Sequence, residues 1–211
     1  MNLRLFLFGI ALAAVLPSVK AQSFLEVVSG SAAGATTSAT QVVGAGTGYT
    51  VGKLRLTLAP DQRAVITYTF EGAESALNEQ FFGPGGASMI GSLASMGTLL
   101  TTRVGAGLLD YSFQSAGAAA TTNAANYAWN DANIGVVLAS DRLSGRLLFE
   151  DGRGRLGSDH DYNDMVVGFK VSVLPVPEAS SLAMLLAGLL VIGVWRRHRH
   201  TANAPRFMTP V

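Results

Sequence analysis

Between Phe149 and Val173, two apolar runs with strand character enclose a short acidic segment, and this restricts the fold more than any other stretch. The run 143–149 leads into Glu150, Asp151 and Gly152; Ser158, Asp159, His160, Asp161, Tyr162, Asn163 and Asp164 follow, and Met165 opens a second run with Val167, Phe169, Val171 and Val173 in alternation. Five of the fourteen carboxylates fall here. Ionised carboxylates packed so closely repel one another unless a cation sits among them. A strand, an acidic loop and a second strand built around a bound metal is the first expectation, with a solvated acidic turn as the plainer alternative.

The residue types suit calcium, a hard cation that takes six to eight oxygens from carboxylates, amides and backbone carbonyls. Asp159, Asp161 and Asn163 stand two residues apart with Asp164 next, so a loop between strands can turn them inward together. Glu150 and Asp151, at the end of the preceding strand, can close the shell. The segment is not an EF-hand: counted from Asp159, the sixth position is Asp164 where glycine is needed, and the twelfth is Lys170, which offers no carboxylate.

The rest of the exported part reads as short strands separated by turns. Residues 23–28 are a short apolar candidate; 53–58 places Leu54, Leu56 and Leu58 on one face; 64–70 is rich in β-branched and aromatic residues; 108–114 and 134–139 read likewise. Residues 29–48 and 115–126 are dominated by Gly, Ala, Ser and Thr and are expected as loop or edge structure. The polar segment 71–80 is expected as a solvated loop, with a share in the ion site as the sharper alternative. Apolar spacing over 88–102 suits a helix, against which Gly91 and Gly97 count. Together these predict an all-β exported domain over 22–174, a β-sandwich of jelly-roll-like type.

Both ends read as targeting segments. Residues 1–21 carry Arg4, an apolar run over 5–16, Pro17 and the small residues Val19 and Ala21, the layout of a secretory signal peptide cut after Ala21. A short membrane anchor is the alternative, although twelve apolar residues fall below the roughly 20 that a spanning helix needs. At the other end, an apolar segment over 182–195 is followed by Arg196, Arg197, His198, Arg199 and His200, so a single span would leave its C-terminus in the cytoplasm.

The order Val176, Pro177, Glu178, short apolar helix and Arg-rich cluster over 175–200 resembles the PEP-CTERM sorting signal of exported proteins in Gram-negative bacteria. Ala179 stands where that signal usually has a second proline, and 201–211 would form a cytoplasmic tail. The resemblance implies recognition at the inner membrane by an exosortase, a membrane-embedded cysteine transpeptidase cutting near Pro177; a permanent single-pass anchor is the alternative. The acidic motif also resembles the C-terminal signature of an uncharacterised secreted bacterial domain family, a strand ending in Phe-Glu-Asp followed by Asp-x-Asp-Tyr-Asn-Asp. That likeness implies a calcium-binding loop in a β-sandwich and supplies no activity.

From Gln22 to Val176 there are nine Lys or Arg against thirteen Asp or Glu, a net charge near −4 although the whole chain is +1. An acidic domain without a basic stripe argues against nucleic acid as partner. The absence of cysteine excludes disulfides, thiolate zinc sites and a cysteine nucleophile. His160 is the single histidine of the exported part, and no nucleophile-elbow or zinc-helix motif accompanies it. The expectation is a non-catalytic, calcium-stabilised structural or adhesive protein of the cell surface or extracellular matrix. A carbohydrate-binding module for extracellular polysaccharide is the alternative, with a secreted hydrolase behind it.

Overall fold

The computed structural model describes residues 22–36, 42–60, 62–74, 78–84, 88–91, 94–126, 133–151, 161–174 and 179–202. The signal segment 1–21, Asp159, His160 and the sorting motif Val176, Pro177 and Glu178 lie outside them.

The chain is mostly β. Its strands are β1 (Phe24–Ala35), β2 (Gly48–Thr57), β3 (Arg63–Gly72), β4 (Gln80–Phe82), β5 (Ser88–Ile90), β6 (Leu99–Val104), β7 (Gly107–Leu108), β8 (Ser112–Gln114), β9 (Thr121–Thr122), β10 (Asn133–Leu138), β11 (Ser144–Glu150) and β12 (Met165–Leu174); α1 (Ala179–Ala202) follows. One antiparallel sheet of eight strands runs β1-β2-β10-β11-β12-β3-β6 with β7 against β2, and a second, of four, runs β5-β4-β8-β9.

Side-chain alternation decides which face of the large sheet meets the small one. In β3, Ala64, Ile66, Tyr68 and Phe70 are buried while the residues between them are less so, as a strand with one covered face requires. Met165, Val167, Phe169 and Val171 of β12 join the same core, together with Phe81, Met89 and Phe113 of the small sheet. Its centre is aromatic: ring centroids lie 4.8 Å apart for Tyr68 and Phe81, 5.1 Å for Phe81 and Phe113, and 4.9 Å for Phe113 and Phe149. Asn123 ties in the 121–126 segment, receiving the Leu54 N–H at 2.7 Å and donating to the Leu54 and Leu109 carbonyls.

The opposite face of the large sheet carries a smaller apolar cluster. Val43, Val51, Leu148, Tyr162 and Val166 are buried there, with Val42, Tyr49 and Val137 packed around them. The connection between β1 and β2 folds back to supply Val42 and Val43.

Two local expectations are corrected and one is narrowed. Of the loop or edge structure expected over 29–48, the small residues to Ala35 are edge: they continue β1, the edge strand of the large sheet, with Ala32–Ala35 paired to Val51–Gly48 after a register shift beyond Val28; a backbone ladder does not require large side chains. Among the described residues of 88–102 there is no helix: β5 ends at Ile90, Gly97 takes φ +85°, and Leu99 opens the edge strand β6. The 71–80 segment is not simply solvated, since Glu71 lies in β3 and Glu79 is fully buried.

Among the described residues, no helix is long and apolar enough to cross a membrane. The side chains of α1 are described over 183–193 and at Arg196, and all are exposed, Met184, Leu190 and Val191 among them. The expected span over 182–195 therefore stands on the sequence alone.

Candidate metal centre

Strands β11 and β12 pair antiparallel, with Phe149 opposite Met165. This register brings Glu150 and Asp151, which leave β11, alongside Asp164, which enters β12. One carboxylate oxygen from each of the three lies within 4.8 Å of the others. Sequence proximity alone does not produce this convergence; the hairpin-like return of the chain does.

Hydrogen bonds fix the group from the backbone. The Asp151 N–H donates to Asp164 Oδ2 at 2.8 Å, and the Tyr162 N–H donates to Glu150 Oε2 at 3.3 Å. Glu150 is buried, and Asp151 and Asp164 are half-buried. Beside them, Asn163 Nδ2 donates to Asp161 Oδ2 at 2.7 Å, with both side chains buried. Asp161 and Asn163 thus bond to each other next to the convergent group, while the expected first ligand, Asp159, lies outside the described residues. Glu150 and Asp151, expected only to close the shell, supply two of its three members.

The electrostatics are those of an anion-crowded site. Burial, opposed by the Asp151 N–H and reinforced by the charges of Asp151, Glu150 and Glu79, pushes the Asp164 carboxyl up to about 7. Glu79 belongs to the 71–80 segment expected as a solvated loop, with a share in the ion site as the sharper alternative, and its charge bears out its nearness to the group. It stands immediately before β4, accepts a hydrogen bond from Ser115 Oγ at 2.7 Å, and its charge reaches Asp164. Its signal in the sequence was slight, a glutamate just ahead of the aromatic pair Phe81 and Phe82.

Tyr162, between Asp161 and Asn163, is a packing residue with an unusual backbone. Its φ is +58°, a left-handed conformation that bulky residues rarely adopt. Its hydroxyl donates to Asn133 Oδ1, and its ring lies on that of Tyr49 with centroids 4.1 Å apart. Burial raises both phenols above their usual range. From the other side, the Glu74 N–H donates to the Asn163 carbonyl at 3.3 Å.

Fold and site together define a two-sheet antiparallel β domain with a convergent carboxylate group at a strand junction. A comparison of the chain with protein families, with curated proteins and with solved structures finds no match.

Proposed function

We propose that the chain is a non-catalytic, calcium-stabilised β-sandwich of jelly-roll-like type, exported and sorted through its C-terminal segment to serve as a structural or adhesive protein of the cell surface or extracellular matrix. The observation that carries the metal reading is the convergence of Glu150, Asp151 and Asp164 within 4.8 Å in a half-buried setting. Three carboxylates held so close are costly without a cation and suited to a hard one. Asp161 and Asn163 stand close enough in sequence to add oxygens to the shell, and Asp159 would do so from the loop before them.

The sorting reading rests on Val176, Pro177 and Glu178, the apolar helix and the basic cluster Arg196, Arg197 and Arg199. It is supported by the exposed apolar side chains of α1, which an aqueous environment disfavours and an inner-membrane precursor would cover. An exosortase would be the processing partner. A second reading, a module for extracellular polysaccharide, has one observation of its own. An open groove of about 430 Å³ crosses the large sheet, lined by Thr69, Glu71, Ser144, Arg146 and Lys170 among others, and its paired charges suit a polyhydroxyl ligand.

The test is thermal unfolding with calcium and with chelator. A ligand that binds only the native state raises its melting temperature. A rise in calcium that Asp164→Ala removes supports the metal reading; identical melting in both buffers refutes it.

A further inference from the structure

The metal reading leaves Tyr162 unexplained: it sits in the middle of the acidic motif, its phenol donates to Asn133, the residue opposite Glu150 on β10, and its ring packs on a strand more than a hundred residues earlier in the chain. We propose that the connection between β1 and β2, acting through Tyr49, is a positioning element of the metal centre, so that docking of residues 42–49 on the sheet and metal binding stabilise each other. This rests on the metal reading.

The packing is specific. Tyr49 follows the connection directly, at the start of β2, and its ring and that of Tyr162 share a slot over β10. A Cβ at Gly135 would lie 3.0 Å from Tyr49 Cδ2 and 3.1 Å from Tyr162 Cδ1, and one at Gly34 would lie 2.6 Å from Tyr49 Oη. Glycine at these positions is what admits the two rings. The connection is closed on itself by Thr36, whose Oγ1 donates to the Gly44 carbonyl at 2.6 Å and accepts the Thr47 N–H at 3.0 Å. Val42 then reaches Gly72, where a Cβ would stand 2.6 Å from Val42 Cγ2, and Val43 is buried beside Leu148 and Val166.

The consequence follows from the backbone of Tyr162. A left-handed conformation at a bulky residue persists only where its surroundings over-determine it. Here they are the Tyr49 ring, the Asn133 side chain and the cluster beneath. That same backbone turn sets the Tyr162 N–H on Glu150, between the Asp161–Asn163 side-chain pair and Asp164, which takes the Asp151 N–H. Loosening Tyr49 therefore loosens the frame on which the carboxylates converge. Linkage requires the converse: a metal that favours this frame must also favour the docked connection.

The experiment uses the full chain in detergent micelles and calcium chloride as the probe. Calorimetric titration compares wild type with Tyr49→Phe, Tyr49→Leu and Gly135→Ala, and hydrogen exchange is followed in wild type with calcium and with chelator. Tyr49→Phe should bind within about twofold of wild type, whereas Tyr49→Leu and Gly135→Ala should bind about three- to tenfold more weakly, the range of an aromatic pair. Calcium should slow exchange over residues 42–49 as well as 161–164. Unchanged affinity in folded Tyr49→Leu and Gly135→Ala overturns the inference, as does calcium protection at 161–164 with none at 42–49. The exchange comparison needs no variant, so a misfolded variant does not shelter the proposal. If wild type binds no calcium, the metal reading itself fails, a result distinct from both.

Discussion

Replacing Asp164 with asparagine separates the two roles of that side chain. Asparagine keeps an oxygen where Asp164 Oδ2 receives the Asp151 N–H at 2.8 Å and removes the charge that burial and the neighbouring carboxylates disfavour. The raised proton affinity of Asp164, at about 7 against an ordinary 3.8, measures that disfavour. At about 1.36 kcal/mol per pK unit, this bounds the strain of the ionised group at roughly 4 kcal/mol. Because the carboxyl is partly exposed and water screens it, a gain on the order of 1–2 kcal/mol is expected without metal at pH 8. For a domain of this size, the corresponding rise in melting temperature is about 3–6 °C. With calcium the order should reverse, since the variant lacks one of three converging anions and wild type gains the free energy of binding. Thermal denaturation of both proteins at pH 8, in chelator and in millimolar calcium, reads all four values. A variant that melts below wild type in chelator, or that keeps the full calcium response, refutes the reasoning.

Other expectations follow from the same structure. Phe113→Ala removes a fully buried ring stacked on Phe149 at 4.9 Å and should cost about 3–5 kcal/mol in chemical denaturation. Tyr111→Phe deletes a buried hydroxyl that has no hydrogen-bond partner among the described residues, so it should leave stability unchanged or raise it by about 1 kcal/mol, measured the same way. Without metal, Asp164 keeps its proton in the folded state up to about pH 7 while the unfolded chain loses it near pH 4. Its contribution is thus fully present at low pH and is lost as pH rises through 7. Melting temperature in chelator should fall from pH 5 to pH 8, and the increment given by calcium should grow over the same range as the proton ceases to compete.

The strands that alternate strongly were legible in the sequence, and the part of β1 that does not was legible only as loop or edge structure. β3 and β12 declare themselves because Ile66, Tyr68 and Phe70, or Val167, Phe169 and Val171, must face one core. The second half of β1 is built of Ser, Ala and Gly, whose pairing with β2 rests on backbone hydrogen bonds that composition does not reveal. Over 88–102 the apolar spacing suited a helix, against which Gly91 and Gly97 counted, and the chain turns at Gly97 between β5 and β6.

The candidate site was legible as an acidic segment and not as a geometry. Spacing two from Asp159 favoured a local loop, whereas the convergence of Glu150 and Asp151 with Asp164 comes from the register of β11 on β12. That register is a tertiary fact. Likewise, only a slight local signal marks Glu79, which comes to the neighbourhood of Asp164 from just ahead of the small sheet, and none marks Tyr49, which meets the motif from more than a hundred residues earlier in the chain.

The most direct measurement is equilibrium dialysis of the purified chain against radioactive calcium at pH 7.5, with Asp164→Asn alongside. The account predicts saturable uptake approaching one ion per chain, with a markedly weaker affinity in the variant. No uptake by wild type at millimolar calcium, or uptake that the variant leaves unchanged, would contradict it.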